Sequence, residues 1–223
     1  IPLLEQQQTR LQETEHEPVL AATVTAARFI WGNSVMRAVV VSICLLLCFL
    51  SVDNVAVVFL VRETLGGSAF AFGVIEAVFG FGMLAGSFWI LGGAGGRWMA
   101  TRLYLLSCAL SSLASAGSGV APSLAVLAPV QTVAGSGNGI EIVASETIIQ
   151  QQVPRGLIGR VYGFTSSATS LGLGVAMAFG GILVDATSPR TTFLIAAAGG
   201  LVVTLGVAPT LLRAPATGPV AER

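Results

Sequence analysis

Four carboxylates stand inside long apolar stretches of this chain: Asp53, Glu76, Glu141 and Glu146. An ionised carboxylate in hydrocarbon costs at least about 2.5–3.5 kcal/mol, so such residues face a cavity or a partner. A carboxyl group that titrates near neutrality can also carry a coupling proton. Asp53 interrupts Leu50-Ser51-Val52-Asp53-Asn54-Val55-Ala56, and the nearest basic residues, Arg37 and Arg62, lie at opposite ends of its stretch. It sits roughly 12 Å from the nearer end, at about 1.5 Å of rise per helical residue. Glu76 lies at a similar depth in the next stretch, so adjacent antiparallel helices could hold the two at one level. The alternative is structural: each bonds a neighbouring helix through Ser51, Asn54 or a backbone group. Both readings stand for both residues. Glu141 follows Gly135-Ser136-Gly137-Asn138-Gly139 near the middle of its stretch, which makes it a substrate-cavity candidate. Glu146 lies nearer the end and is expected to pair with Arg160 or Arg97 as a clasp.

The elements that position these acids are membrane spans. Of 223 residues, 54% are hydrophobic and 10% charged, with mean hydropathy +0.84. Ordinary soluble domains carry about 25% charge. So few charges cannot clothe a water-facing surface, and the expected solvent is a lipid bilayer. Six apolar runs, at about 35–61, 70–91, 102–120, 123–149, 161–184 and 192–212, are each near the length needed to cross it. Residues 1–27 are polar and rich in Gln and Glu, and read as a cytoplasmic linker. Residues 28–213 form the bundle, opened by the aromatic and basic Arg28-Phe29-Ile30-Trp31, an interfacial anchor. Residues 214–223, with Pro215 and Pro219, read as a cytoplasmic tail. The opening Ile1 lacks the basic region and apolar core of a signal peptide, so the chain reads as a fragment or processed piece.

Arginine orients the bundle. All eleven basic residues are arginines, and nine of them fall on one side of a six-span topology. That side is expected to be cytoplasmic, with both termini on it. The other side holds Arg62 and Arg190, each offset by a nearby acid, Glu63 and Asp185. Arg155 and Arg160 occupy the polar break Gln150-Gln151-Gln152-Val153-Pro154-Arg155-Gly156-Leu157-Ile158-Gly159-Arg160-Val161-Tyr162-Gly163, where Pro154 cannot continue a helix interior.

Sliding the chain by about 92 residues places Gly80-Phe81-Gly82 over Gly172-Leu173-Gly174 and Ile90-Leu91 over Ile182-Leu183. The repeat unit is then three spans. Three is odd, so the second copy is inverted, as in many secondary transporters. The expected fold class is an all-α membrane protein of six transmembrane helices in two inverted three-helix repeats.

These residues carry a resemblance. Gln150-Gln151-Gln152-Val153-Pro154 followed by Gly159-Arg160-Val161-Tyr162-Gly163, and Val61-Arg62-Glu63-Thr64-Leu65-Gly66, resemble the C-terminal half of a major facilitator superfamily permease, closest to the branch of the enterobactin exporter and the macrolide-efflux proteins. The resemblance implies spans seven to twelve of a twelve-helix transporter, a missing N-terminal six-helix half, a small-molecule substrate, protons as coupling ions and a bacterial inner membrane. The family's acidic loop motif has an echo in Gly92-Gly93-Ala94-Gly95-Gly96-Arg97, which keeps glycines and an arginine but has no Asp.

Other chemistry is set aside. The Gly-x-Gly stretches follow no strand, so they are not a dinucleotide fingerprint. Gly82-Met83-Leu84-Ala85-Gly86 reads as helix packing. Cys44, Cys48 and Cys108 lie in apolar runs with no His or acid at ligand spacing, so no metal is expected. There is no Ser-His-acid set and no Walker lysine, so no enzyme and no cofactor is expected, and a zero net charge argues for no nucleic acid. The leading reading is proton-coupled efflux of small amphipathic compounds by alternating access. The alternatives are an uptake permease and a truncated membrane protein with a binding or scaffold role.

Overall fold

A computed structural model describes residues 19–91 and 97–213, and among them every regular element is helical. Helix α1 spans Val19–Gly32. It begins inside the stretch read as linker, because Leu-Ala-Ala-Thr-Val-Thr-Ala-Ala favours helix through its alanines. It buries Ala26 and Ile30 and exposes Trp31, the one-sided pattern of an interfacial helix. Asn33 turns the corner: its side-chain oxygen accepts from the Val35 and Met36 amides at 3.0 and 3.2 Å, capping the next helix.

The first apolar run is not one unbroken helix, as the sequence suggested. Helix α2 covers Ser34–Leu50, α3 covers Asp53–Phe59, and a π-helical turn covers Leu60–Thr64. At the break the ladder tightens, with Asn54 donating to the Ser51 carbonyl and Val55 to the Val52 carbonyl. No Pro or Gly marks the break, and Asp53 is the first residue beyond it. Gly66, at φ 65°, then turns the chain in the left-handed region that glycine adopts freely.

Helix α4 is Ala69–Leu91, α5 is Arg97–Val120 and α6 is Leu124–Gln152. Val153 is extended ahead of Pro154, a 3-10 turn covers Arg155–Leu157, and α7 runs Ile158–Ala186. The break expected at Pro154 is therefore present. Gln150 and Tyr162 bond across it at 3.4 Å, and Asn33 reaches Gln152 at 3.4 Å. Helix α8 is Pro189–Arg213. Arg190, at its start, donates to the Gly119 and Ala121 carbonyls at 3.3 and 2.9 Å. It thus satisfies carbonyls at the open end of α5, where an offset by Asp185 was expected.

Among the described residues, five stretches are long and apolar enough to cross a membrane: Ser34–Thr64, Ala69–Ile90, Met99–Val120, Arg155–Ala186 and Pro189–Arg213. Helix α6 has the length but is too polar to join them, carrying Gln131, Asn138, Glu141 and Glu146. It is shielded instead, packed against both α4 and α5. Helix α5 also packs on α8, and α8 on α2.

Two apolar cores form. One gathers Met36, Val39, Leu46, Tyr104, Ile148 and Val161. The other gathers Leu60, Val61, Ile75, Leu127, Val184 and Phe193. Between the two cores α5 and α6 carry polar residues, among them Ser111, Ser115, Gln131, Asn138 and Glu141, and that is where the candidate site opens.

Candidate functional site

Residues far apart in the chain converge on a cavity of about 250 Å³. The break between α2 and α3 contributes Ser51, Asp53 and Asn54, and α4 contributes Glu76 and Phe79. Helix α5 adds Ser111 and Ser115, α6 adds Gln131, Asn138 and Glu141, and α7 reaches in with Leu173. Three carboxyls, Asp53, Glu76 and Glu141, thus line one cavity, and among the described residues no arginine lines it. Asp53 and Glu76, from consecutive apolar stretches, both border this space.

The α4 and α6 walls are held by backbone contact. A Cβ on Gly82 would strike the Thr132 carbonyl, and one on Gly86 the Ser136 carbonyl. Reciprocally, a Cβ on Gly135 would strike the Phe79 carbonyl, and one on Gly139 the Met83 carbonyl. Two small-x-x-x-small faces therefore interlock, as their spacing suggested, and Ser87 donates to the Gly139 carbonyl at 3.3 Å. This contact fixes Glu76 and Phe79 against Asn138 and Glu141.

Hydrogen bonding separates occupied polar groups from unoccupied ones. Helix α5 buries five serines: Ser107, Ser111, Ser112, Ser115 and Ser118. Ser107, Ser112 and Ser118 donate to carbonyls of their own helix, and Ser115 donates to the Phe193 carbonyl at 3.1 Å. Among the described residues Ser111 finds no partner for its hydroxyl, although it is 7% exposed. The buried Oδ1 of Asp53 also lacks a partner among them. A buried group left unsatisfied costs about 1–3 kcal/mol. Both groups face the cavity, where water or a ligand can complete them.

Below the cavity, Tyr104 is fully buried and bonds Ser42 at 2.7 Å. Ser42 itself donates to the Val39 carbonyl at 2.9 Å, so the tyrosine hydroxyl is the donor of that pair. This contact ties α5 to α2.

The clasp candidates lie elsewhere. Glu146 is exposed near the end of α6, Arg155 is exposed in the 3-10 turn, and Arg160 is in the first turn of α7. The Arg97 side chain and the loop 92–96 lie outside the described residues, as do 1–18 and 214–223. Sequence reasoning missed Gln131, Asn138, Ser111 and Ser115. The signal was present in part: Gln131, Asn138 and Glu141 follow helical spacing and share one face of α6. Ser111 and Ser115 do the same on α5.

A family model described as Major Facilitator Superfamily matches residues 41–223, from within α2 to the end of the chain. No curated protein matches the sequence.

Proposed function

This chain belongs to the major facilitator superfamily, a family of transporters, and on that premise we propose that it is the C-terminal half of a proton-coupled exporter of small amphipathic compounds. Residues 28–213 then supply spans seven to twelve, with 1–27 as the end of the central loop and 214–223 as the tail. Helix α6 is the fourth span of this half, and both termini face the cytoplasm of a bacterial cell. Asp53, Glu76 and Glu141 serve the cavity or the coupling proton. Arg97, Glu146, Arg155 and Arg160 serve the cytoplasmic loops.

One observation carries the reading: three carboxyls from three different helices border a single cavity of mixed polar and apolar lining. A site of this kind, placed at mid-depth by the proposed topology, suits alternating access, in which one bundle rocks against another about it. Two further features support it. The spans containing α4 and α7 are each only 17% buried, against 33–56% for the other three, so they offer the faces that a partner bundle would cover. The packing is also compatible with two three-helix units, α2/α3-α4-α5 and α6-α7-α8. Helix α4 packs on α6 as α7 packs on α2 and α3; α5 packs on α6 as α8 packs on α2; and α5 meets α8.

The test is efflux driven by a pH gradient, measured in cells expressing the complete gene against a panel of amphipathic compounds. The expected result is efflux of at least one compound, abolished by collapsing the gradient. Gradient-driven accumulation instead of efflux would establish the uptake permease, and no flux of any compound would leave the binding or scaffold role.

A further inference from the structure

We infer that the ligand of this cavity is an amphipathic organic cation, with one delocalised or quaternary positive centre and an apolar body. The inference rests on the reading that the cavity is the substrate site, and it adds the charge and character of the substrate.

The electrostatics come first. Asp53, Glu76 and Glu141 line the cavity, and among the described residues no arginine does. None of the described arginines lines it: Arg37 is in the first turn of α2, Arg62 is within the π-turn, and Arg190 is engaged with the Gly119 and Ala121 carbonyls. A charged ligand leaving water for such a site must find opposite charge there. Three carboxyls can offer that to a cation and nothing in the described wall offers it to an anion.

The second observation is independent of the acids. Ser111 is more than nine-tenths buried, borders the cavity and has no hydrogen-bond partner among the described residues. The other four buried serines of α5 all donate to carbonyls. Ser111 is therefore a polar group held open at the cavity wall, and its oxygen can turn a lone pair toward a positive centre. Beside these acids and uncharged polar groups such as Asn54, Gln131 and Asn138, the wall is apolar, with Leu46, Leu50, Val57 and Leu173, and Phe79 adds an aromatic ring. An aromatic face beside carboxylates suits a weakly hydrated cation. A small, strongly hydrated metal ion would gain nothing from these apolar groups.

The experiment uses the full 223-residue chain, purified and placed in lipid nanodiscs. Radiolabelled tetraphenylphosphonium is the probe, and tetraphenylborate is its near-isostere of opposite charge. We expect saturable tetraphenylphosphonium binding, displaced by unlabelled probe and not by tetraphenylborate. The Asp53→Asn, Glu141→Gln double variant should lose at least tenfold in affinity, and Ser111→Ala a few-fold. Asp53→Glu, which keeps the charge, should bind within a few-fold of the parent. Thermal melting of each variant in detergent reports folding, and if the double variant does not fold, each single variant is read alone. Three results would overturn the inference: no saturable binding by the parent, equal displacement by tetraphenylborate, or unchanged affinity in folded variants lacking the carboxylates. Binding needs neither a gradient nor a partner bundle, so it separates from transport. A chain that binds the cation while the complete gene moves nothing keeps the inference and loses the transporter reading. Transport of anions alone, with no cation binding, does the reverse.

Discussion

Asp53 is the residue on which proton coupling would turn. It opens α3 directly after the helical break and lines the cavity with one buried oxygen unpartnered among the described residues. Asp53→Asn keeps the shape and most hydrogen bonding but cannot exchange a proton. We predict that in the complete transporter it abolishes gradient-driven flux, with a loss of ~10²-fold or more by analogy with a general acid–base group, while insertion and folding survive. Flux within about twofold of the parent in proteoliposomes would end the coupling role, since the loss of an acid–base group typically costs ~10²-fold. Tyr104 offers a contrast, because its hydroxyl serves Ser42 in a sealed core. Tyr104→Phe should cost about 0.5–1.5 kcal/mol, the worth of one net hydrogen bond, read as a lowered melting temperature in detergent. The candidate acids were legible in the sequence because charge inside an apolar run is conspicuous. Ser111 was not, since a serine in a span ordinarily bonds its own helix, and only the neighbours show that this one does not.

At the scale of elements, the α4–α6 contact is the most sharply testable. Gly135→Ala places a methyl group against the Phe79 carbonyl, and Gly86→Ala places one against the Ser136 carbonyl. Each should destabilise by about 1–3 kcal/mol, as overpacking does. Gly80, on the same helix as Gly86, has nothing within 4 Å of the point where a methyl group would sit. Gly80→Ala should be neutral or slightly stabilising, since alanine is the better helix former. Melting curves for the three variants separate a packing role from a general intolerance of substitution. The end of α6 was legible in Pro154, whereas the Asn33 cap of α2 shows only in the structure. The division of α2 from α3 was not legible either, because Ser51-Val52-Asp53-Asn54 holds no Gly or Pro, and its turn-forming Ser, Asp and Asn sit inside a long apolar run. It rests on how the ladder tightens locally, which sequence spacing does not encode. Of the glycines that the 92-residue shift picked out, Gly172 would bring an added methyl group to 3.9 Å from the Cys44 carbonyl of α2, while one on Gly174 would meet nothing within 4 Å.

For the whole molecule, topology and partnership follow from the proposed arrangement. A thiol placed at Ser188, between α7 and α8, should react with an impermeant maleimide from outside the cell. One placed at Arg155 should react only after permeabilisation. The reverse pattern would invert the bundle. Residues 1–223 alone should give no saturable, gradient-driven flux in liposomes, because a cavity with one bundle as its wall cannot alternate its access. The apolar composition and arginine distribution made the membrane class legible, but the convergence of α3, α4 and α6 on one space is a tertiary fact that no local pattern contains.

Helix α6 has a consequence for how this protein is made. On the proposed topology it must enter the bilayer, yet it carries Gln131, Asn138 and two glutamates. Each acidic residue near the centre of an isolated helix penalises translocon insertion by about 2.5–3.5 kcal/mol or less, as depth decreases. As it leaves the ribosome, α6 is thus a poor candidate to slip sideways into lipid by itself. Its rescuers are already present, since α4 and α5 are synthesised first and are the helices it packs against. Biogenesis would then be sequential, with α6 retained at the translocon until the earlier pair shelters its polar face. The interlocked glycines that bring backbones together in the finished bundle would act earlier as a docking guide for a nascent segment.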